Sequence, residues 1–146
     1  MKTARRAVAG RASIGSQVRQ ALVAAARAAR RHAHAPYSHF RVGAAILDDQ
    51  DRVHVGCNVE NASYGLTVCA ERNAIAAAVV GGARRIRAIA VVTPTKPAAT
   101  PCGACRQALA EFGDEQTLVV LASPTGTATN RSLGSLLPES FGLRPT

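Results

Sequence analysis

Three of the four cysteines stand in two short motifs, and a carboxylate lies beside the first of them. Cys69 precedes Glu71 by two positions in CAERNAIAA, and Cys102 and Cys105 lie three positions apart in PCGACRQAL. Each motif opens a run that predicts a helix, and a helix N-terminus stabilises the thiolate form of cysteine. Such residues could bind a metal with a base beside it, form a redox pair, or pack in a core.

A lone C-x-x-C motif fits either a thioredoxin-like dithiol or half of a zinc site. Cys69 decides between them, because a third thiolate completes three protein ligands and leaves the fourth tetrahedral position of zinc open to water. Glu71 can reach a metal-bound water without being a ligand, which is the position a proton shuttle needs. A dithiol oxidoreductase has no use for either residue. We therefore predict a catalytic zinc ion on Cys69, Cys102 and Cys105.

Three thiolates on Zn²⁺ leave a single net negative charge, which opposes ionisation of a bound water. Catalytic zinc brings the pKa of that water to about 7, so positive charge must lie near the sulfurs. The two helix N-termini are one source, and Arg72 is expected to be another. Arg106 fits this role and a surface position equally well. Cys57, the fourth cysteine, is expected to pack inertly.

Hydrophobic periodicity predicts the elements that position these motifs. Apolar residues at helical spacing indicate a helix from about residue 17 to 33, which ends before Pro36. Strands and helices then follow in VGAAIL, RVHVGCNV, CAERNAIAAAVV, IRAIAVVT, GACRQALAEF and TLVVLAS. A turn and a short helix in SLGSLLPESF complete the chain. This order predicts an α/β fold with three α/β/α layers around a mixed central sheet.

Length and composition predict one globular domain, since 146 residues of which 47% are hydrophobic can bury a core. We expect residues 1–13 to form a flexible basic leader and residues 14–146 a single domain. No stretch approaches the roughly 18 apolar residues that span a bilayer, and no apolar secretory segment opens the chain. The cysteine pattern suits metal binding rather than a disulfide framework. These features predict a cytoplasmic protein without membrane association.

The formal charge of +9 could indicate nucleic-acid binding, depending on where the charge lies. The first 41 residues hold nine of the 18 Lys and Arg residues and none of the nine Asp and Glu residues, so the remainder is neutral. A nucleic-acid groove is lined by clustered basic side chains. The sequence therefore argues against a nucleic-acid partner, although the basic leader could contact polyanions without specificity.

The motifs APYSHFRVGAAIL, GCNVENASYGLTVCAERNAI and PCGACRQALAEF together resemble the small homotetrameric cytidine deaminases, over about residues 17–143. The resemblance implies one zinc ion per subunit on the three cysteines, with Cys69 where other zinc deaminases have a histidine. It implies hydrolytic deamination of cytidine and deoxycytidine to uridine and deoxyuridine, as in pyrimidine salvage. A zinc-bound hydroxide would attack C4, Glu71 would shuttle protons, and ammonia would leave.

The resemblance also implies contacts with a small pyrimidine nucleoside. Asn58 and Glu60 would hold the ribose hydroxyls. Phe40 would pack near the pyrimidine, and the backbone of Ala70 would contact the base.

A homotetramer is implied as well, in which a neighbouring subunit completes each active site. Tyr37, Tyr64 and Phe141 match aromatic residues near those subunit interfaces. The sequence departs from the family pattern at Asn73, where threonine is common, and in its long basic leader.

Three other functions fit parts of the pattern. A blasticidin-type deaminase would share the cysteines and Glu71, but the intact NVEN and FRVGAA motifs favour a nucleoside. A nucleic-acid-editing deaminase would need extra loops to seat a polynucleotide, which the sequence lacks. A non-catalytic zinc module that binds nucleic acid through residues 1–41 would need no proton shuttle and would favour a fourth protein ligand.

Overall fold

The computed structural model describes residues 13–143, so the predicted leader, residues 1–13, lies outside it except for Ser13. The described chain forms one mixed sheet with helices on both faces. Its elements are α1 (Ser16–Arg30), β1 (Gly43–Asp48), β2 (Val53–Cys57), a 3₁₀ turn (Tyr64–Leu66), α2 (Ala70–Val80), β3 (Ile86–Val92), α3 (Gly103–Phe112), β4 (Leu118–Ala122), β5 (Ala128–Ser132) and α4 (Leu133–Leu136).

The five strands lie in the order β2-β1-β3-β4-β5. β1 is antiparallel to β2 and β3, β3 is parallel to β4, and β4 is antiparallel to β5. A parallel pair needs a crossover connection, and α3 supplies it between β3 and β4. β3 is buried along almost its whole length, which explains its continuous apolar run IRAIAVV.

Two apolar layers separate the helices from the sheet and confirm the predicted α/β/α architecture. Leu22, Val23 and Ala26 of α1 pack on one face of the sheet. α2 and α3 pack on the other face through residues that include Ala74 and Leu109. Both helices that carry the cysteines therefore lie on the same face, which is the first condition for a shared site.

Gly56 in β2 allows α2 to approach the sheet closely. A Cβ atom at this position would lie 2.6 Å from the Ala70 carbonyl oxygen and would also collide with the Ala74 nitrogen. Backbone cannot move aside as a flexible side chain can, so only glycine fits here. The close approach positions the first turn of α2 against the end of β2.

Two details differ from the sequence-based prediction. α1 ends at Arg30 rather than near residue 33, because the chain turns to form a bridge in which the His34 N–H donates to the Asn58 carbonyl at 3.0 Å. The strand β5 was not predicted, because its exposed sequence ATNRS has no apolar alternation. No helix within residues 13–143 is long and apolar enough to cross a membrane.

Candidate metal centre and active site

The helices α2 and α3 bring the three predicted cysteines together at their N-termini. Cys69 is the N-cap of α2, Cys102 is the N-cap of α3, and Cys105 lies in the first turn of α3. All three sulfur atoms lie within 4.8 Å of one another, and those of Cys69 and Cys102 are 3.9 Å apart. Tetrahedral zinc with Zn–S bonds of about 2.3 Å separates its sulfur ligands by about 3.8 Å, so the cluster fits this ion.

The loop before α3 is fixed by Arg106. Its guanidinium donates to the Pro101 carbonyl at 2.7 Å, to the Leu136 carbonyl at 2.7 Å and to the Thr100 hydroxyl at 2.8 Å. Pro101 itself is fully buried. Arg106 therefore holds the segment that presents Cys102 through bonds to three oxygen atoms.

The electrostatics of the cluster favour thiolate at Cys69. A hydrogen bond shared with Cys105 is the largest contribution, and Arg72 and Cys102 add to it, so that the pKa of Cys69 is lowered to about 5. The pKa of Cys105 is raised, first by that same hydrogen bond to Cys69 and then by burial. The hydrogen bond between the two sulfurs thus favours the thiolate form at Cys69 and the thiol form at Cys105.

Arg72 lies next to this thiolate. Its Nη2 is 3.9 Å from the Cys69 sulfur and 3.4 Å from the Thr67 carbonyl. Its buried Nε has no hydrogen-bond partner within residues 13–143. The guanidinium is therefore placed to offset negative charge on the sulfurs.

Glu71 is buried beside the cluster, in the first turn of α2, with 5% of its surface exposed. Burial is the main cause of its raised pKa, and the charge of Cys69 raises it further. A carboxylate with a raised pKa exchanges protons near neutral pH more readily than an exposed one. Among the buried carboxylates, this one is suited to carry a proton.

The segment from residue 34 to 42 is joined to residues 58–60 by side-chain hydrogen bonds. Asn58 donates through Nδ2 to the Phe40 carbonyl at 2.8 Å and accepts through Oδ1 from the Val42 N–H at 2.8 Å. The Glu60 carboxylate accepts from the Tyr37 N–H at 2.9 Å, the Ser38 N–H at 3.3 Å and the Ser38 hydroxyl. Hydrogen bonding, above all from the Ser38 hydroxyl, lowers the pKa of Glu60.

The predicted substrate residues lie at several places around these elements. Ala70 is fully buried directly after Cys69, whereas Phe40 is 38% exposed. Glu60 and Tyr64 line a surface cavity of ≈ 370 Å³ together with Tyr37, Ser38 and Thr67.

Tyr64 and Phe141 are mostly exposed on the single chain, at 78% and 72%. Tyr64 contacts Tyr37 edge-on at 6.2 Å between ring centroids, and the Phe141 carbonyl accepts a hydrogen bond from Gln107 at 3.0 Å.

Sequence reasoning gave no role to two side chains that support this region. Ser38 bonds to Glu60 and accepts from the Phe40 N–H, and Asn73 donates to the Cys57 carbonyl at 2.8 Å. The signal for Ser38 was its position in APYSHF, where a serine before a turn commonly bonds to a nearby backbone N–H. No local signal points to Asn73 of α2, because its partner, Cys57, lies in β2.

The sequence matches a known family of zinc enzymes over most of its length. Residues 16–121 match the cytidine and deoxycytidylate deaminase zinc-binding region. The chain therefore belongs to the cytidine and deoxycytidylate deaminase family, and its three cysteines form a site for one zinc ion.

Individual relatives agree with this membership. The cytidine deaminase of Halalkalibacterium halodurans is 48% identical over 123 residues, which make up 84% of this chain and 93% of that protein. The cytidine deaminase of Sporosarcina psychrophila is 43% identical over 120 residues, or 82% and 88% of the two chains. The crystal structure of cytidine deaminase from Burkholderia pseudomallei is 50% identical, with a TM-score of 0.80 over 84% of this chain and 98% of that chain.

Proposed function

We propose that this protein is a zinc-dependent cytidine deaminase that hydrolyses cytidine and deoxycytidine to uridine and deoxyuridine and releases ammonia. The observation that carries the proposal is the cluster of three thiols at two helix N-termini with the buried Glu71 beside it. Family membership and the high identity to cytidine deaminases support the choice of substrate.

Glu71 performs the proton transfers in this proposal. Cys69, Cys102 and Cys105 would hold the zinc ion, which would supply a water of lowered pKa. Glu71 would take a proton from that water as its oxygen bonds to C4 and would deliver the proton to N3 of the pyrimidine. Glu71 would then move the proton of the new C4 hydroxyl to the amino group, and the C4–N bond would break to release ammonia. One carboxyl group can serve as base and acid in turn because burial raises its pKa toward neutrality.

Arg72 and Ala70 assist at the same helix end. The Arg72 guanidinium offsets the charge of the thiolates through its contact with Cys69. Ala70 is the first residue of α2, where a backbone N–H has no partner within the helix and can contact the base.

Asn58 and Glu60 hold the ribose, and their remaining hydrogen-bonding capacity is small. Asn58 already uses one amide N–H and one oxygen lone pair on the chain, and Glu60 already accepts three hydrogen bonds. The Asn58 amide retains one N–H and one oxygen lone pair, and the Glu60 carboxylate retains about one acceptor site. These remaining groups can bind ribose hydroxyls, each of which both donates and accepts. Phe40 packs against the pyrimidine from the neighbouring segment.

We further infer that the enzyme is a homotetramer in which neighbouring subunits cover Tyr64 and Phe141. Support comes from the exposure of these large aromatic side chains on the single chain.

We infer that residues 14–146 form the single catalytic domain, and that it works in the cytoplasm, where free thiols persist. All four cysteines are free.

The deciding experiment measures ammonia release from cytidine and deoxycytidine by the zinc-loaded protein, with zinc quantified in the same sample. We expect turnover of both nucleosides, and sedimentation at the mass of a tetramer. A zinc-loaded parent that leaves both nucleosides unchanged would refute the substrate assignment. Blasticidin-like aminopyrimidines and single-stranded polynucleotides, assayed alongside, identify the alternatives.

A further inference from the structure

We propose that Ser38 is a positioning residue that fixes Phe40 for substrate binding by linking its backbone to the carboxylate of Glu60. The Ser38 hydroxyl donates to Glu60 Oε1 and accepts from the Phe40 N–H, which lies 3.0 Å away. This inference rests on the proposed role of Phe40 at the pyrimidine.

The turn that Ser38 spans needs such a restraint. His39, between Ser38 and Phe40, has φ 58°, a left-handed conformation that L-residues adopt at a cost. A strained residue of this kind persists only when surrounding bonds determine its geometry. The His39 N–H donates to the Ala35 carbonyl at 3.0 Å, which closes one side of the turn.

Both backbone polar groups of Phe40 are held by side-chain hydrogen bonds. Its N–H donates to Ser38, and its carbonyl accepts from Asn58 at 2.8 Å. The side chain remains 38% exposed. The backbone is thus oriented by the two residues proposed to hold the sugar, with Ser38 as the link to Glu60, while the ring is left to meet the base.

This arrangement couples binding of the sugar to binding of the base. A carboxylate that accepts a sugar hydroxyl also holds the serine that orients the aromatic ring at the base. Loss of the Ser38 hydroxyl breaks the link without removing any group that touches substrate. Because Ser38 is exposed, its truncation leaves no cavity, and the variant should stay folded with a fall in melting temperature of only a few degrees.

The test compares Ser38→Ala and Ser38→Thr with the parent in cytidine deamination. Loss of one hydrogen bond to a charged group predicts a rise in KM of about tenfold for Ser38→Ala, with kcat within about twofold. Ser38→Thr keeps the hydroxyl and should restore the parent KM. Ser63→Ala is the matched control, because Ser63 is an exposed serine without a side-chain capping bond and should leave KM unchanged.

A double-mutant cycle with Phe40→Ala separates positioning from a general effect on the loop. If Ser38 acts through Phe40, Ser38→Ala should add no further change in KM in the Phe40→Ala background. Fully additive effects, or an unchanged KM in Ser38→Ala alone, would overturn the proposal.

Amide hydrogen exchange tests the link without any substrate. Ser38→Ala should speed exchange of the Phe40 N–H about tenfold, and Ser38→Thr should not. An unchanged exchange rate would overturn the proposal even if the parent deaminates cytidine. Conversely, the parent could prove inactive on cytidine while Ser38→Ala still speeds exchange of the Phe40 N–H. That result would retain the structural link and reject only its assignment to this substrate.

Discussion

Two buried carboxylates lie at opposite ends of the α2 region and have pKa values shifted in opposite directions. Asp48 is fully buried and Glu71 is 5% exposed. Burial tends to raise the pKa of Asp48, but hydrogen bonds, first from His54 and then from Arg52 and Gln50, outweigh it and hold the pKa well below its ordinary value. Burial dominates at Glu71 and raises the pKa.

The difference lies in the donors that each carboxylate receives. Asp48 accepts from the Gln50 N–H at 2.8 Å, the Arg52 N–H at 2.9 Å, Arg52 Nε at 2.8 Å and His54 Nε2 at 2.9 Å. Arg52 also donates to the Gly81 carbonyl at 2.6 Å, which secures the C-terminal end of α2. At Asp48 the hydrogen bonds outweigh burial, so the carboxylate stays ionised and anchors structure, whereas at Glu71 burial outweighs the hydrogen bonds and favours the protonated form.

The largest expected effect comes from Glu71→Gln. General acid–base catalysis is worth about 10²- to 10⁴-fold, and Glu71 is proposed to act in more than one proton transfer, so kcat should fall by at least about 10³-fold. Stability should be equal or higher, since a neutral amide avoids burying charge. Steady-state kinetics and urea unfolding measure the two effects. Zinc content must stay at one per chain, and a variant with near-parent kcat would contradict the proton-transfer role.

Asp48→Ala should show the opposite pattern, a loss of stability without a loss of activity. It leaves His54 and the Arg52 guanidinium partly unpaired, which should lower the free energy of unfolding by about 3 kcal/mol with kcat nearly unchanged. Urea unfolding of the zinc-loaded protein measures the loss. The control is Asp49→Ala, because the exposed Asp49 accepts only weak backbone contacts at 3.4 and 3.5 Å. Equal losses in the two variants would show that the Asp48 network is not an anchor.

Arg72→Gln sharpens the comparison on the catalytic side. Loss of the guanidinium beside Cys69 removes charge that stabilises the thiolate, so zinc affinity should fall about tenfold to a hundredfold. Competition with a chelator measures the affinity. Arg84→Gln is a matched control, because Arg84 is exposed on the loop after α2 and should not alter zinc binding. Equal affinities in parent and Arg72→Gln would remove Arg72 from the site.

The smallest expected effect is a pH dependence assigned to Asp48. Its folded pKa lies below its unfolded value of about 3.9, so its contribution to stability is present above that value and is lost as pH falls toward the folded pKa. The difference in unfolding free energy between parent and Asp48→Asn should therefore be constant from about pH 5 to 7 and shrink below about pH 4. A difference that grows on acidification would contradict the depressed pKa.

Local sequence signals were enough to predict most of the fold. The apolar run of β3, the helix that starts at Cys69 and the helix over 103–112 were predicted within a few residues, because each carries its own periodicity. The edge strand β5 was missed, since it is held by backbone pairing with β4 rather than by an apolar face. The three-layer arrangement followed from the order of elements.

The sequence by itself also determined the chemistry of the metal site, because three thiols and a nearby carboxylate restrict what can bind there. Only the tertiary structure decided that Cys69 and Cys102, in separate helices, have sulfurs 3.9 Å apart. Only it distinguished Asp48 from Glu71, because the pKa of a carboxyl group depends on its burial and on the donors around it. Residue types determine which groups can react, and packing decides, through burial and hydrogen bonding, which of them have a pKa suited to do so.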